Sequence, residues 1–177
     1  YICGAPKCGT TALYTYLSEH PDIYMPRLKE PHYFTDDFPR YKRIESRDAY
    51  LDLFSEAPVD AIRGEASVWY LYSTDAARRI SAANPDAKFI VMLRNPVDAA
   101  EAFHSHRLVQ LGEDIPDLEA AWRAQERRAE GCDIPLHCPD PSHLQYGKVY
   151  SYADQLKRVF QAAGRDRVKV IIYEEFF

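Results

Sequence analysis

The 177-residue chain is 46% hydrophobic and 28% charged, the composition of one folded domain and not of a disordered tail. Its 22 Lys and Arg against 27 Asp and Glu give a formal charge of −5, which excludes a general nucleic-acid binder but leaves room for a small anion held by a few placed cations. The longest uninterrupted apolar run, Phe89 to Leu93, is far below the roughly 20 residues of a membrane helix, so no membrane span is expected in this segment.

Tyr1-Ile2-Cys3 reads as the last residues of a strand, and the far end stops just after the apolar run Val168 to Tyr173, so a single domain cut at both ends is expected over 1–177. Gly4-Ala5-Pro6-Lys7-Cys8-Gly9-Thr10-Thr11 follows as a glycine-bearing turn, and Leu13, Tyr16 and Leu17 then mark a helix over Thr10 to Glu19, stopped by His20-Pro21. Pro26 to Tyr41 reads as irregular, and Ala61 to Gly64 as a strand before Glu65. Ser73-Thr74-Asp75 starts a helix with Ala76, Ala77, Ile80 and Ala83 on one face, ended by Asn84-Pro85. Lys88 to Leu93 is a continuous apolar strand of the kind buried on both faces. Asn95-Pro96-Val97-Asp98 is a helix start, with Asn as N-cap, Pro at the first position and Asp at the third. His104 and His106 on that helix read as surface or loop-packing residues.

Leu118, Ala121 and Trp122 mark a further helix closed by Gly131, and Gly131 to Gly147 is the longest expected loop. Cys132 and Cys138 lie in it with His137 and His143; their spacing lacks the tight pairs of a structural zinc site, leaving free thiols, a local disulfide or, last, zinc. Ser151 with Asp154 looks like a capping box for a helix whose apolar face is Leu156, Val159 and Phe160. Gly164 ends it before the strand Val168 to Tyr173. Strands alternating with helices predict an α/β fold with a mostly parallel central sheet flanked by helices.

The strongest chemical signal is the turn Gly4 to Thr11. A turn between a strand and a helix aims backbone N–H groups and the positive helix end at one point, which makes an anion site. Its spacing approaches G-x-x-x-x-G-K-[ST], but Thr10 stands where that motif has lysine, and the lysine sits earlier at Lys7.

Pro6-Lys7-Cys8-Gly9-Thr10-Thr11-Ala12-Leu13 resembles the 5′-phosphosulfate loop of the sulfotransferases that use 3′-phosphoadenosine 5′-phosphosulfate (PAPS). Leu93-Arg94-Asn95-Pro96-Val97-Asp98 resembles the 3′-phosphate segment of the same family, and Lys29-Glu30-Pro31-His32-Tyr33-Phe34 the K-E-x-x-F-F stretch of its carbohydrate-type and bacterial branch. Gly64-Glu65-Ala66-Ser67 also fits. The resemblance implies a P-loop-like fold and an enzyme moving a sulfuryl group from PAPS to a hydroxyl or amine of a small-molecule or carbohydrate acceptor, with no metal required. It implies nucleotide contacts at Pro6, Lys7, Cys8, Gly9, Thr10, Thr11, Arg94 and Ala102, and catalytic roles for Lys7, Glu30 and His32.

Chemistry supports these roles. In-line transfer needs positioning and stabilisation of charge on the leaving oxygen, which Lys7 is placed to supply. Arg94, at a strand end, can grip a phosphate bidentately. Glu30 is the expected base, its pKa raised among Pro31, Tyr33 and Phe34. The family's serine eight residues after the arginine is Ala102 here, which removes a contact of about 0.5–1.5 kcal/mol unless Ser105, one turn on, replaces it. Two other readings remain: a small-molecule kinase, which the register of Lys7 disfavours, and a PAP-binding protein without turnover. A bacterial-type cytoplasmic location is expected, with the Golgi lumen left open.

Overall fold

The computed structural model describes residues 1–177. Its strands are β1 (Ile23–Tyr24), β2 (Ile62–Arg63), β3 (Phe89–Leu93) and β4 (Val168–Ile172). Its helices are α1 (Thr10–Ser18), α2 (Arg47–Asp52), α3 (Ala76–Ala83), α4 (Pro96–Val109), α5 (Leu118–Arg123), α6 (Gln125–Ala129), α7 (Tyr146–Val149), α8 (Tyr152–Ala163) and α9 (Tyr173–Phe176). Pairing is parallel throughout: β1 with β2, and β3 with β4 in the register Phe89↔Val168 to Leu93↔Ile172. Ile2 bridges the two pairs, parallel to Ala66 on one side and Ile90 on the other. The N-terminal segment is thus the middle rung of a parallel array, and the anion loop leaves from its C-terminal end, where open α/β sheets place their ligands.

Most elements form for reasons local to their sequence. β3 is buried at Phe89, Val91, Met92 and Leu93, as a strand covered on both faces requires. In α4, Asn95 Oδ1 accepts from Val97 N at 3.0 Å, Pro96 opens the helix, and His106 and Arg107 sit in its last turn, where the dipole favours cations. α3 packs against α8; the buried residues are Ala76, Ala77 and Ile80 on the first and Gln155, Val159 and Ala163 on the second.

Five local readings need correction. Ala83 is exposed and leaves the buried face of α3. The helix over 118–131 is two helices, since Ala124 both ends α5 and heads α6. The segment 131–147 holds a 3₁₀ turn at Pro141–Leu144 and runs into α7. Ser151 makes no capping bond, because its Oγ donates to Gly147 O at 2.6 Å, and Asp154 is left exposed. β4 stops at Ile172, and Tyr173 already belongs to α9.

All four cysteines are free; Cys3, Cys8 and Cys138 are buried and Cys132 is exposed. The loop after α4 is anchored by a buried ion pair. Arg128 donates from both Nη atoms to Glu113 at 2.6 Å, and Tyr146 Oη donates to Glu113 Oε2 at 2.6 Å. The remaining Glu113 oxygen, Oε1, also accepts from the N–H groups of Asp114 and Ile115 at 2.8 and 2.9 Å. No helix is long and apolar enough to cross a membrane.

Candidate active site

The loop between the N-terminal rung and α1 is shaped by backbone conformation. Gly4 has φ 137° and lies so close to Val68 O that a Cβ would sit 2.5 Å from it, so only glycine fits. Lys7 and Gly9 both take left-handed values, φ 62° and 83°. Gly9 caps α1 with no side-chain bond. The N–H groups of Lys7, Gly9, Thr10, Thr11 and Ala12 find no acceptor within the protein, along the loop that leads into the positive end of α1. Pro6 O accepts from Tyr150 Oη at 3.3 Å, which ties the loop to the residues before α8. Cys8 points inward: its Sγ lies 3.6 Å from Tyr152 Oη, and burial pushes the thiol up to about 11.

The second component is the loop carrying Glu30 and His32, both in the left-handed region at φ 63° and 50°. Such strain persists only where the surroundings over-determine it. Here Glu30 N donates to Ala66 O at 2.8 Å and His32 N to Ser67 Oγ at 3.1 Å. Ser67 Oγ in turn donates to Glu65 Oε2 at 2.8 Å, and Tyr70 Oη donates to Glu65 Oε1 at 2.7 Å. Glu65 is buried, and burial drives its pKa up against those bonds, so it is a structural anchor behind the loop.

The expectation of a raised Glu30 pKa is reversed. Burial acts upward, but the His32 hydrogen bond at 3.4 Å and Lys29, with Nζ 2.6 Å from Glu30 Oε1, outweigh it and hold the carboxyl at about 2. The carboxylate is therefore ionised and able to accept a proton at neutral pH, with a smaller thermodynamic pull than a tuned base has.

A cleft of ≈ 430 Å³ brings these parts together: Pro6, Lys7, Gly9, Thr10 and Thr11 on one wall and Glu30 on another. His32 is buried behind it, with Nδ1 unpartnered. Arg94 lies apart in an adjacent recess of ≈ 440 Å³ with Asn95, Asp98, Tyr152 and Glu174. Its guanidinium stacks 4.8 Å over the Tyr173 ring and pairs with no acid, while Glu174 Oε1 accepts from Asn95 N at 2.9 Å. Tyr173 lines the first cleft, so one ring separates the two. Neither Ala102 nor Ser105, which is exposed on α4, lines either recess.

The cleft also contains residues that the sequence reading passed over: Tyr41, Trp69, Phe103, His106, Arg107 and Gln110. His104 packs a loop as expected, its Nε2 2.8 Å from Ile115 O, but His106 faces the cleft. Burial, then the positive charges of Lys7 and Arg107, lower the His106 pKa. Residues 103, 106, 107 and 110 follow i, i+3, i+4, i+7 spacing, one stripe along α4, and that period downstream of Arg94 was the available signal. Trp69 is stiffened from behind by His143, stacked at 3.5 Å.

A family model described as "Sulfotransferase domain" matches residues 1–177. Carbohydrate sulfotransferase 15 of Mus musculus is 36% identical over 142 residues, covering 55% of this chain and 25% of that protein. Heparan sulfate glucosamine 3-O-sulfotransferase 3B1 of Mus musculus is 34% identical over 119 residues, covering 67% of this chain and 29% of that protein. The crystal structure of a sulfotransferase from Alicyclobacillus acidocaldarius superposes with a TM-score of 0.86 at 38% identity, covering 99% of this chain and 72% of that one. The matches thus span about a quarter to three tenths of the curated relatives.

Proposed function

This chain belongs to the sulfotransferase domain family, and from that premise we propose that it transfers a sulfuryl group from PAPS to a hydroxyl of a carbohydrate acceptor. One observation carries the reading: the unpartnered N–H groups around Lys7 and the ionised Glu30 open onto the same cleft. The loop suits the donor's anionic end, because five free N–H groups and an uncapped helix start are donors only. Arg94, at the end of β3, would take the 3′-phosphate. When bound, the donor supplies an activated sulfuryl group on a phosphate leaving group.

The chain's own residues do the rest. Lys7 balances the charge that grows on the leaving oxygen, and the loop N–H groups share it. Glu30 accepts the acceptor's proton, and His32 orients it through the 3.4 Å contact. Tyr41, Trp69 and Phe103 offer ring faces on which a saccharide can lie, in keeping with the carbohydrate and heparan sulfate named for two relatives. The test is transfer of labelled sulfate from PAPS to a panel of saccharides, with calorimetric titration of PAP and ATP. Binding of PAP without magnesium together with transfer upholds the reading. ATP binding that needs magnesium, or PAP binding with no transfer to any acceptor, replaces it with the kinase or the binding-protein alternative.

A further inference from the structure

The segment 65–71 is hydrogen-bonded to both halves of the cleft. Toward the N-terminal rung, Ile2 N donates to Glu65 O at 2.9 Å, Ser67 N to Ile2 O at 3.0 Å and Leu71 N to Cys3 O at 2.8 Å. That rung runs directly into the loop of Lys7. Toward the loop of the base, the segment takes three N–H groups at alternate positions: Glu30 N at Ala66 O, 2.8 Å, His32 N at Ser67 Oγ, 3.1 Å, and Phe34 N at Tyr70 Oη, 3.4 Å. Two of those three acceptors are hydroxyls, whose protons rotate to suit their surroundings. Glu65 decides where they point. Its carboxyl accepts the protons of Ser67 and Tyr70 at 2.8 and 2.7 Å, and that of Tyr50 at 3.3 Å. A hydroxyl has one proton, so an oxygen that gives it to Glu65 keeps only lone pairs for the loop. Glu65 is 1% exposed and does not line the cleft; it borders a separate cavity with Tyr33, Phe34 and Tyr50.

We propose that Glu65 is a positioning residue: through Ser67 and Tyr70 it fixes the loop 30–34 against the rung of Lys7, and so aims the Glu30 carboxylate at the acceptor hydroxyl. The inference rests on the reading of Glu30 as the proton acceptor of the transfer proposed above. A carboxyl kept from water is a costly way to fill a core, and what it supplies here is direction. The loop needs such a hold, because Glu30 and His32 both carry left-handed backbone, at φ 63° and 50°. Loosening either hydroxyl lets that backbone relax and swings Glu30 away from Lys29 and His32, which hold it at 2.6 and 3.4 Å. Ala66 O does not replace the carboxyl, since it holds Glu30 N but neither His32 N nor Phe34 N. Glu65→Gln keeps the size and one acceptor oxygen but puts a donor where the second oxygen stood. Ser67 or Tyr70 must then turn its proton away from position 65, and the N–H of the loop loses a fixed acceptor.

The test is a double-mutant cycle on kcat for transfer of labelled sulfate from PAPS to a saccharide, with PAP affinity by calorimetry and the fold by urea unfolding. Glu65→Gln and Ser67→Ala should each lower kcat about 10–100-fold, the scale of loss from a small misplacement of a reacting group, with KM and PAP affinity held near wild type. In the Glu30→Gln background neither should lower kcat further, because the carboxylate they aim is gone. Tyr50→Phe removes the hydroxyl on Glu65 that holds no N–H of the loop, and should leave kcat unchanged. The Glu30 carboxyl is followed separately by its carbon-13 resonance, assigned by its loss in Glu30→Gln. In the wild type it should stay ionised down to about pH 2, and in both variants it should titrate nearer the ordinary carboxylate value as Lys29 and His32 draw off. A loss repeated in full in the Glu30→Gln background, or a Glu30 titration in the variants identical to wild type, overturns the proposal and leaves Glu65 as core structure only. Should Glu65→Gln fail to fold, Ser67→Ala decides in its place. If the wild type transfers sulfate to no acceptor, the function proposed above fails, and the Glu30 titration alone upholds or overturns the positioning.

Discussion

Lys7, its backbone left-handed, lines the cleft together with the loop residues whose N–H groups are free. Lys7 forms no ion pair within the protein, which leaves its charge free for the leaving oxygen of the proposed transfer. Lys7→Ala is expected to lower kcat by about 10²–10³, roughly 2.7–4 kcal/mol, with the fold intact by circular dichroism. An unchanged kcat removes Lys7 from the mechanism. Glu30 is a different case, since its identity was legible in Lys29-Glu30-Pro31-His32 but its protonation was not. Flanking Pro and aromatic residues suggest burial, whereas the left-handed turns at Glu30 and His32 fold Lys29 and His32 back onto the carboxyl and hold it at about 2. Glu30→Gln should cut turnover by about 10²–10⁴ while PAP affinity stays. Because the folded carboxyl remains ionised down to about pH 2, kcat/KM should show no acidic limb from Glu30 between pH 5 and 8. A limb in that range that vanishes in Glu30→Gln would mean that the Lys29 contact opens during turnover.

At the scale of elements, what was legible is what local chemistry dictates. The apolar run of β3, the Asn95-Pro96 start of α4 and the glycines of the anion loop each specify their own backbone. What was not legible depends on elements meeting. Ser151 has the sequence of a cap, but Gly147 O, supplied by α7, captures its hydroxyl. Tyr41 and Trp69 arrive in the cleft from irregular segments that carry no periodicity. The junction of β3 and α4 offers a test at this scale. Arg94 there faces a recess of its own, separated from Lys7 by Tyr173, and the proposed donor carries two anionic groups, on the 3′ and 5′ positions of one ribose. Arg94→Ala should weaken PAP by about 1.5–3 kcal/mol and adenosine 5′-phosphosulfate, which lacks the 3′-phosphate, much less. Equal losses measured by calorimetry for the two nucleotides would show that Arg94 reads another group.

Across the whole molecule, the stripe on α4 works only if the loop behind it is fixed, and the buried pair of Arg128 with Glu113 does this from below. The backbone N–H groups of Gly112 and Glu113 both donate to Arg107 O, at 2.9 and 3.2 Å, so the ion pair and the cleft arginine share one short segment. Burial raises the Glu113 carboxyl, but the Arg128 and Tyr146 hydrogen bonds overcome it and bring the pKa to about 2. A folded-state pKa below the unfolded value means that the unfolded chain binds more protons between the two. The stabilisation is therefore complete above about pH 4.5 and is lost as pH falls toward 2. Arg128→Ala leaves Glu113 buried and unpaired, and should cost about 3–5 kcal/mol in urea unfolding at pH 7. Glu113→Gln keeps the shape, removes the charge and should flatten the fall in stability between pH 4.5 and 2, apart from the separate shares of Glu30 and Asp36, which titrate over the same range. Should Glu113→Gln retain the full wild-type slope there, the pair does not set the acid limit of this fold. The cleft would then depend on another anchor for its α4 wall.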